Sequence, residues 1–140
     1  MHLPCDDVLP GAKLVVHRAV DVDAPPEAVF RWLCQLKVAP YSYDWIDNLG
    51  RRSPRELTPG AERLERGQRV MKLFRLVDFE RDRQITVDWR GEFVVTYAVL
   101  PGRLYMRVLG RRHWPLFRFG DLIMARKQLL TLAELAREPG

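Results

Sequence analysis

The sequence predicts an α+β domain: a curved antiparallel sheet around a long C-terminal helix, with two short helices after the first strand. Three observations predict it. Val20 to Gly50 reads as a strand, a proline-started amphipathic helix and a short aromatic helix closed by glycine. Val70 to Leu109 reads as successive strands joined by tight turns, which implies an antiparallel meander. Leu122 to Ala136 carries an apolar stripe at helical spacing, and the concave face of a twisted sheet supplies the partner that stripe needs.

The elements follow in order. Residues 1–12 hold Pro4, Pro10 and Gly11 with no periodicity and read as a flexible N-terminal arm. A single domain is expected over 13–137, as a chain of 140 residues normally forms one. From Lys13 to Val22, alternation puts Val16, Arg18, Val20 and Val22 on one strand face and His17, Ala19 and Asp21 on the other. Pro25-Pro26-Glu27 starts a helix, because proline lacks an N–H that the first turn would leave unpaired. Glu27 suits the positive end of its dipole. Val29, Trp32, Leu33 and Leu36 form its buried stripe.

Pro40 separates this helix from a second one, capped by Ser42 and stopped at Gly50. Between Gly50 and Val70 the residues support at most one weak edge strand, Arg55 to Thr58. Strands are then expected from Val70 to Phe79, Gln84 to Arg90, Phe93 to Leu100 and Leu104 to Leu109. Gly91-Glu92 and Pro101-Gly102 supply turns. Arg111 to Arg118 is a basic, aromatic loop before the last helix.

Composition excludes several classes. Hydrophobic residues make up 47% and charged residues 29%, ordinary for a globular chain. No apolar run approaches the ~20 residues of a membrane span, and the N-terminus lacks a signal pattern. A cytoplasmic protein without stable membrane insertion is expected. The net charge of +5 comes from arginines spread along the chain, so a solvated surface rather than a nucleic-acid interface is expected. Cys5 and Cys34 show no metal or disulfide spacing, and His2, His17 and His113 are scattered. No metal, cofactor or hydrolytic triad is predicted.

Candidate site residues follow from the expected cleft between sheet and helix, since apolar clefts with a few polar groups usually bind ligands. Tyr41, Tyr43, Asp44 and Trp45 form the densest cluster, with aromatic rings that give apolar area plus a polar tip. Arg18 shares a strand face with valines; if that face is the inner one, it needs Asp44 or a ligand carboxylate as partner. If the other face is inner, Arg18 is exposed. Trp89, Thr96, Tyr97 and Tyr105 lie on central strands where cavity contact competes with ordinary packing.

The run V-D-V-D-A-P-P-E-A-V-F-R-W-L resembles the opening of the SRPBCC superfamily, which includes START-like lipid-transfer domains, pollen-allergen-type proteins and polyketide cyclases/dehydrases. Y-S-Y-D-W-I-D-N-L-G and G-D-L-I-M-A-R-K-Q-L-L-T-L are similar to the second and C-terminal helices of one bacterial branch. The resemblance implies the helix-grip fold with an internal hydrophobic cavity, and no single activity. Arg107 raises the same question as Arg18 on a later strand, a ligand-binding candidate if it points inward, and its run M-R-V-L-G-R resembles the family's late-strand arginine pattern. The expected function is binding of a hydrophobic or amphipathic small molecule, lipid or polyketide-like. The alternative is a cyclase or dehydratase using Asp44 or a cavity tyrosine as acid/base. A monomer or a homodimer is compatible with the sequence.

Overall fold

A computed structural model of the chain describes residues 2–35, 63–70, 74–112 and 127–137. Its elements are helix α1 (Pro4–Val8), strand β1 (Leu14–Asp21), helix α2 (Pro26–Cys34), and strands β2 (Arg69–Val70), β3 (Phe74–Glu80), β4 (Gln84–Trp89), β5 (Phe93–Leu100) and β6 (Arg103–Gly110). Residues 127–137 form the described part of the C-terminal helix, α3. The expected second helix, the edge strand near Arg55 and the basic loop beyond Arg112 lie outside the described residues.

The strands make one curved antiparallel sheet in the order β1-β6-β5-β4-β3-β2. The meander from β2 to β6 pairs neighbours in sequence, and β1 closes on β6. The α+β class therefore stands. The hairpin turns have local causes. Leu100 pairs with Arg103 across Pro101-Gly102, and Gly102 takes a positive φ of 71°, which glycine adopts without a side-chain clash. At Gly110, an added Cβ would lie 2.8 Å from the Leu14 Cβ, so a glycine lets β1 seat against β6 there.

Alternation divides β5 between two cores. Phe93, Val95, Tyr97 and Val99 face the main core. That core also holds Leu104, Met106 and Val108 of β6, Val29, Phe30, Trp32, Leu33 and Cys34 of α2, and Leu129, Leu132, Ala133, Leu135 and Ala136 of α3. This is the inner face. Val94 and Ala98 point the other way, into a small outer cluster with Leu109, Leu3 and Cys5.

The outer cluster corrects the expectation of a flexible arm over residues 1–12. The segment forms α1 and docks on the sheet with Cys5 fully buried. Pro4 occupies the first turn, and Asp6 accepts a hydrogen bond from the Leu3 N–H at 2.9 Å. Leu3, Cys5 and Leu9 then bury apolar surface against Val94, Ala98, Leu109 and Tyr105. A single helical turn has no period to detect, and its stability comes from this packing.

Candidate functional site

Two sets of polar side chains stand out, one on each face of the sheet. On the inner face, β1 buries Leu14 and Val16 while Val15 and His17 are exposed. Arg18 shares the face of Val16 and is half-buried, in register with core Met106. The guanidinium donates through Nη1 to the neighbouring His17 carbonyl. Tyr97 lies near the middle of β5, and its hydroxyl donates to Gln128 Oε1 of α3 at 2.6 Å. Both side chains are buried, so this bond joins sheet to helix inside an apolar layer. Gln35 at the end of α2 is also fully buried.

Trp89 ends β4, half-buried, with its ring stacked on Phe93 at 5.6 Å between centroids. The Arg90 guanidinium carbon sits 5.8 Å from the Trp89 ring centroid. Trp89 is therefore held at the sheet's end rather than beside Tyr97. Tyr41, Tyr43, Asp44 and Trp45 lie outside the described residues, as does any pairing of Asp44 with Arg18.

Arg107 lies on the other face. Its register neighbours complete a polar row across five strands: Asp78, Thr86, Thr96, Arg107 and His17 stand side by side on β3, β4, β5, β6 and β1. Thr96 and Tyr105 also face outward, as strand parity requires of neighbours of Tyr97 and Met106. The row's first half is a one-directional hydrogen-bond chain. Cys5 N–H donates to Thr96 Oγ1 at 3.0 Å. Thr86 donates to Gln84 Oε1 at 2.7 Å, which leaves Thr96 as the donor in its 2.8 Å bond to Thr86. Gln84 Nε2 then donates to Asp78 Oδ2 at 3.1 Å, and Arg66 pairs with the other Asp78 oxygen at 3.1 Å.

Thr96→Val keeps the side-chain volume but orphans the Cys5 N–H. It is expected to cost about 1–3 kcal/mol, and to speed hydrogen exchange at Cys5 more than at Ile85. Equal acceleration at both amides would show a global effect and no specific anchoring of α1.

The row's second half centres on Arg107, which is 9% exposed. Its Nη1 reaches Asp6 Oδ2 at 2.5 Å, Nη2 donates to Tyr105 Oη at 3.3 Å, and Nε donates to His17 Nδ1 at 3.3 Å. The Tyr105 hydroxyl also bonds to His17 Nδ1. Nδ1 thus serves as an acceptor, which makes His17 a neutral imidazole with its proton on Nε2. Partial burial and the adjacent Arg107 charge push the His17 pKa below its ordinary value.

Burial works to raise the Asp6 carboxyl, but the Leu3 N–H, Arg107 and His2 outweigh it and hold that carboxyl below the ordinary aspartate value. Burial pushes the Cys5 thiol up, and its side chain packs in the outer cluster. A histidine whose Nδ1 accepts from Tyr105 and Arg107 has no carboxylate holding that nitrogen as a donor. The cluster therefore lacks the polarity of a hydrolytic triad. Sequence reasoning did not assemble Asp6, His17, Tyr105 and Arg107. Parity in β6, with Leu104, Met106 and Val108 on one face, is the signal that separates Arg107 from the inner site.

No family model matches the chain, and no curated protein matches it. Two crystal structures are similar to it. Protein MLL2253 from Mesorhizobium loti matches with a TM-score of 0.54 and 17% identity, over 87% of this chain and 96% of that one. Protein CV1439 from Chromobacterium violaceum matches with a TM-score of 0.54 and 15% identity, over 90% of this chain and 99% of that one. At these identities the likeness carries the fold alone.

Proposed function

We propose that the chain is a helix-grip protein of the START-like class that binds a hydrophobic or amphipathic small molecule, lipid or polyketide-like, between the inner sheet face and α3. One observation carries this reading: the apolar inner layer contains a buried hydrogen bond from Tyr97 to Gln128, and half-buried Arg18 lies on the same face. Apolar walls with a few fixed polar groups are the usual composition of a small-molecule site, with walls for affinity and polar groups for orientation. Arg18 favours a ligand with a carboxylate or carbonyl head.

Catalysis by Tyr97 or Asp44 is the alternative reading. The Tyr97 hydroxyl donates to the Gln128 amide oxygen, which orients it within the apolar layer. Among the described residues no helix is long and apolar enough to cross a membrane.

Thermal unfolding with a panel of fatty acids, sterols and aromatic polyketides tests the reading. At least one ligand is expected to raise the Tm of the full chain. Arg18→Ala should weaken an acidic ligand about tenfold, the equivalent of one charge-assisted hydrogen bond. A panel that stabilises nothing removes the proposal, and equal binding by Arg18→Ala removes the role of Arg18.

A further inference from the structure

On the face opposite the proposed cavity, the three nitrogens of Arg107 are committed differently. Nε and Nη2 are held by neutral groups, the His17 imidazole and the Tyr105 hydroxyl. Among the described residues, only Nη1 meets a negative charge, the Asp6 carboxylate. The sheet therefore contributes an oriented, largely buried cation and none of its counter-charge. Among the described residues, that counter-charge comes from a one-turn helix ahead of the domain's first strand.

The attachment of that helix is local. α1 has five residues, and its buried anchors are Leu3 and Cys5, with Leu9 packed beside them. It joins β1 through Pro10 and Gly11, where Gly11 has a φ of 73°. Segments with few buried contacts open more readily than the sheet they cover. Lifting α1 would uncover Arg107 next to Val94, Ala98 and Leu109, an apolar strip now capped by Leu3 and Cys5. A guanidinium fixed by hydrogen bonds loses little freedom on taking a new carboxylate, which favours binding there.

We propose that Arg107, positioned by His17 and Tyr105, is a carboxylate-binding site that the chain fills with its own Asp6. A small organic acid with an apolar tail takes this site when α1 lifts away. Its head replaces the Asp6 carboxylate on Nη1, and its tail lies where Leu3 and Cys5 pack. The tethered Asp6 competes at an effective concentration on the order of millimolar. The site is therefore weak in the resting chain and strong once Asp6 is gone.

The test is an NMR titration of the full chain with sodium acetate and sodium hexanoate, against sodium chloride at matched ionic strength, reading the Arg107 side-chain Nε–H. In Asp6→Ala, both carboxylates are expected to shift that signal saturably, with hexanoate tighter than acetate. The wild type should bind hexanoate at least tenfold more weakly, and its α1 amides should move toward unfolded positions as it binds. Arg107→Met added to Asp6→Ala should abolish the response at the neighbouring Tyr105 and Thr96 amides.

Shifts equal to those in chloride, or equal affinities in wild type and Asp6→Ala, would overturn the proposal. So would binding that survives loss of Arg107. Asp6→Asn is the second variant. If neither it nor Asp6→Ala folds, Asp6 is a required structural pin and no exchangeable occupant, and the proposal falls.

Discussion

Leu132→Ala is expected to lower the unfolding free energy by about 2–5 kcal/mol, the usual range for deleting a buried leucine side chain. Leu132 is fully buried on α3, on the same side as Leu129, Ala133, Leu135 and Ala136. All five belong to the core formed with the inner sheet face and α2. The sheet cannot collapse into the space, because β5 and β6 are held by pairing on both sides. The transfer cost is therefore joined by a cavity cost.

Leu130 provides the control on the same helix. It is 46% exposed, so Leu130→Ala should change stability by less than about 0.5 kcal/mol, as surface substitutions generally do. Chemical denaturation of both variants reads the difference. Near-equal effects would mean that α3 does not present this face to the core, and the inner site would lose its second wall.

The stripe that makes this prediction was legible from the spacing of apolar residues in the C-terminal segment. So were the limits of β5, because F-V-V-T-Y-A-V-L is bounded by turn residues on both sides and Pro101-Gly102 fixes its partner. The antiparallel meander followed from short connections. Two places required more: the expected single strand from Val70 to Phe79 is two paired strands, β2 and β3, and the partner of β1, β6, lies far along the chain where no local pattern names it.

The outer polar row was not legible as a unit, for a physical reason. Each member is an ordinary polar residue on a strand, and the row exists only through register between five strands. Cys5 meets Thr96 across 91 residues of sequence. The arm looked loose because one turn of helix carries no repeat. Arg107 raised the same open question as Arg18, inward or exposed, and its alternation with Leu104, Met106 and Val108 places it outward. Arg18 was reached by alternation and Tyr97 only as one of four central-strand candidates, and both lie on the inner face. The aromatic cluster from Tyr41 to Trp45 falls outside the described residues, so the proposed inner site is argued from Arg18, Tyr97 and Gln128.

Asp6→Ala is expected to destabilise the chain by about 1–3 kcal/mol, between the value of an exposed ion pair and that of a fully buried one. It leaves the Arg107 guanidinium, whose side chain is 11% exposed, facing a space that held its counter-charge. Arg107→Met should cost less. The methionine keeps the apolar stem, and Asp6, 26% exposed, retains the Leu3 N–H and reaches water. A symmetric loss would mean that pairing alone matters and burial of the cation does not.

Acid should act in the same direction through two groups. Asp6 has a folded pKa below its unfolded value of about 3.9. Its contribution is present above that pH and is lost as pH falls through the folded value. His17 also has a folded pKa below its unfolded value of about 6.5, so the unfolded chain binds the proton first. Stability therefore begins to fall as pH drops below about 6.5, because the unfolded chain takes up a proton that the folded Nδ1, accepting from Tyr105 and Arg107, resists. His17→Gln retains an acceptor without titrating. It should flatten the loss between pH 7 and 5 while leaving the later loss from Asp6. Urea denaturation from pH 7 down to about 3, with Arg107→Met as a third chain, checks both steps. Identical pH profiles in all three chains would show that the pairing of Asp6, Arg107 and His17 contributes nothing to the hold of α1 on the sheet.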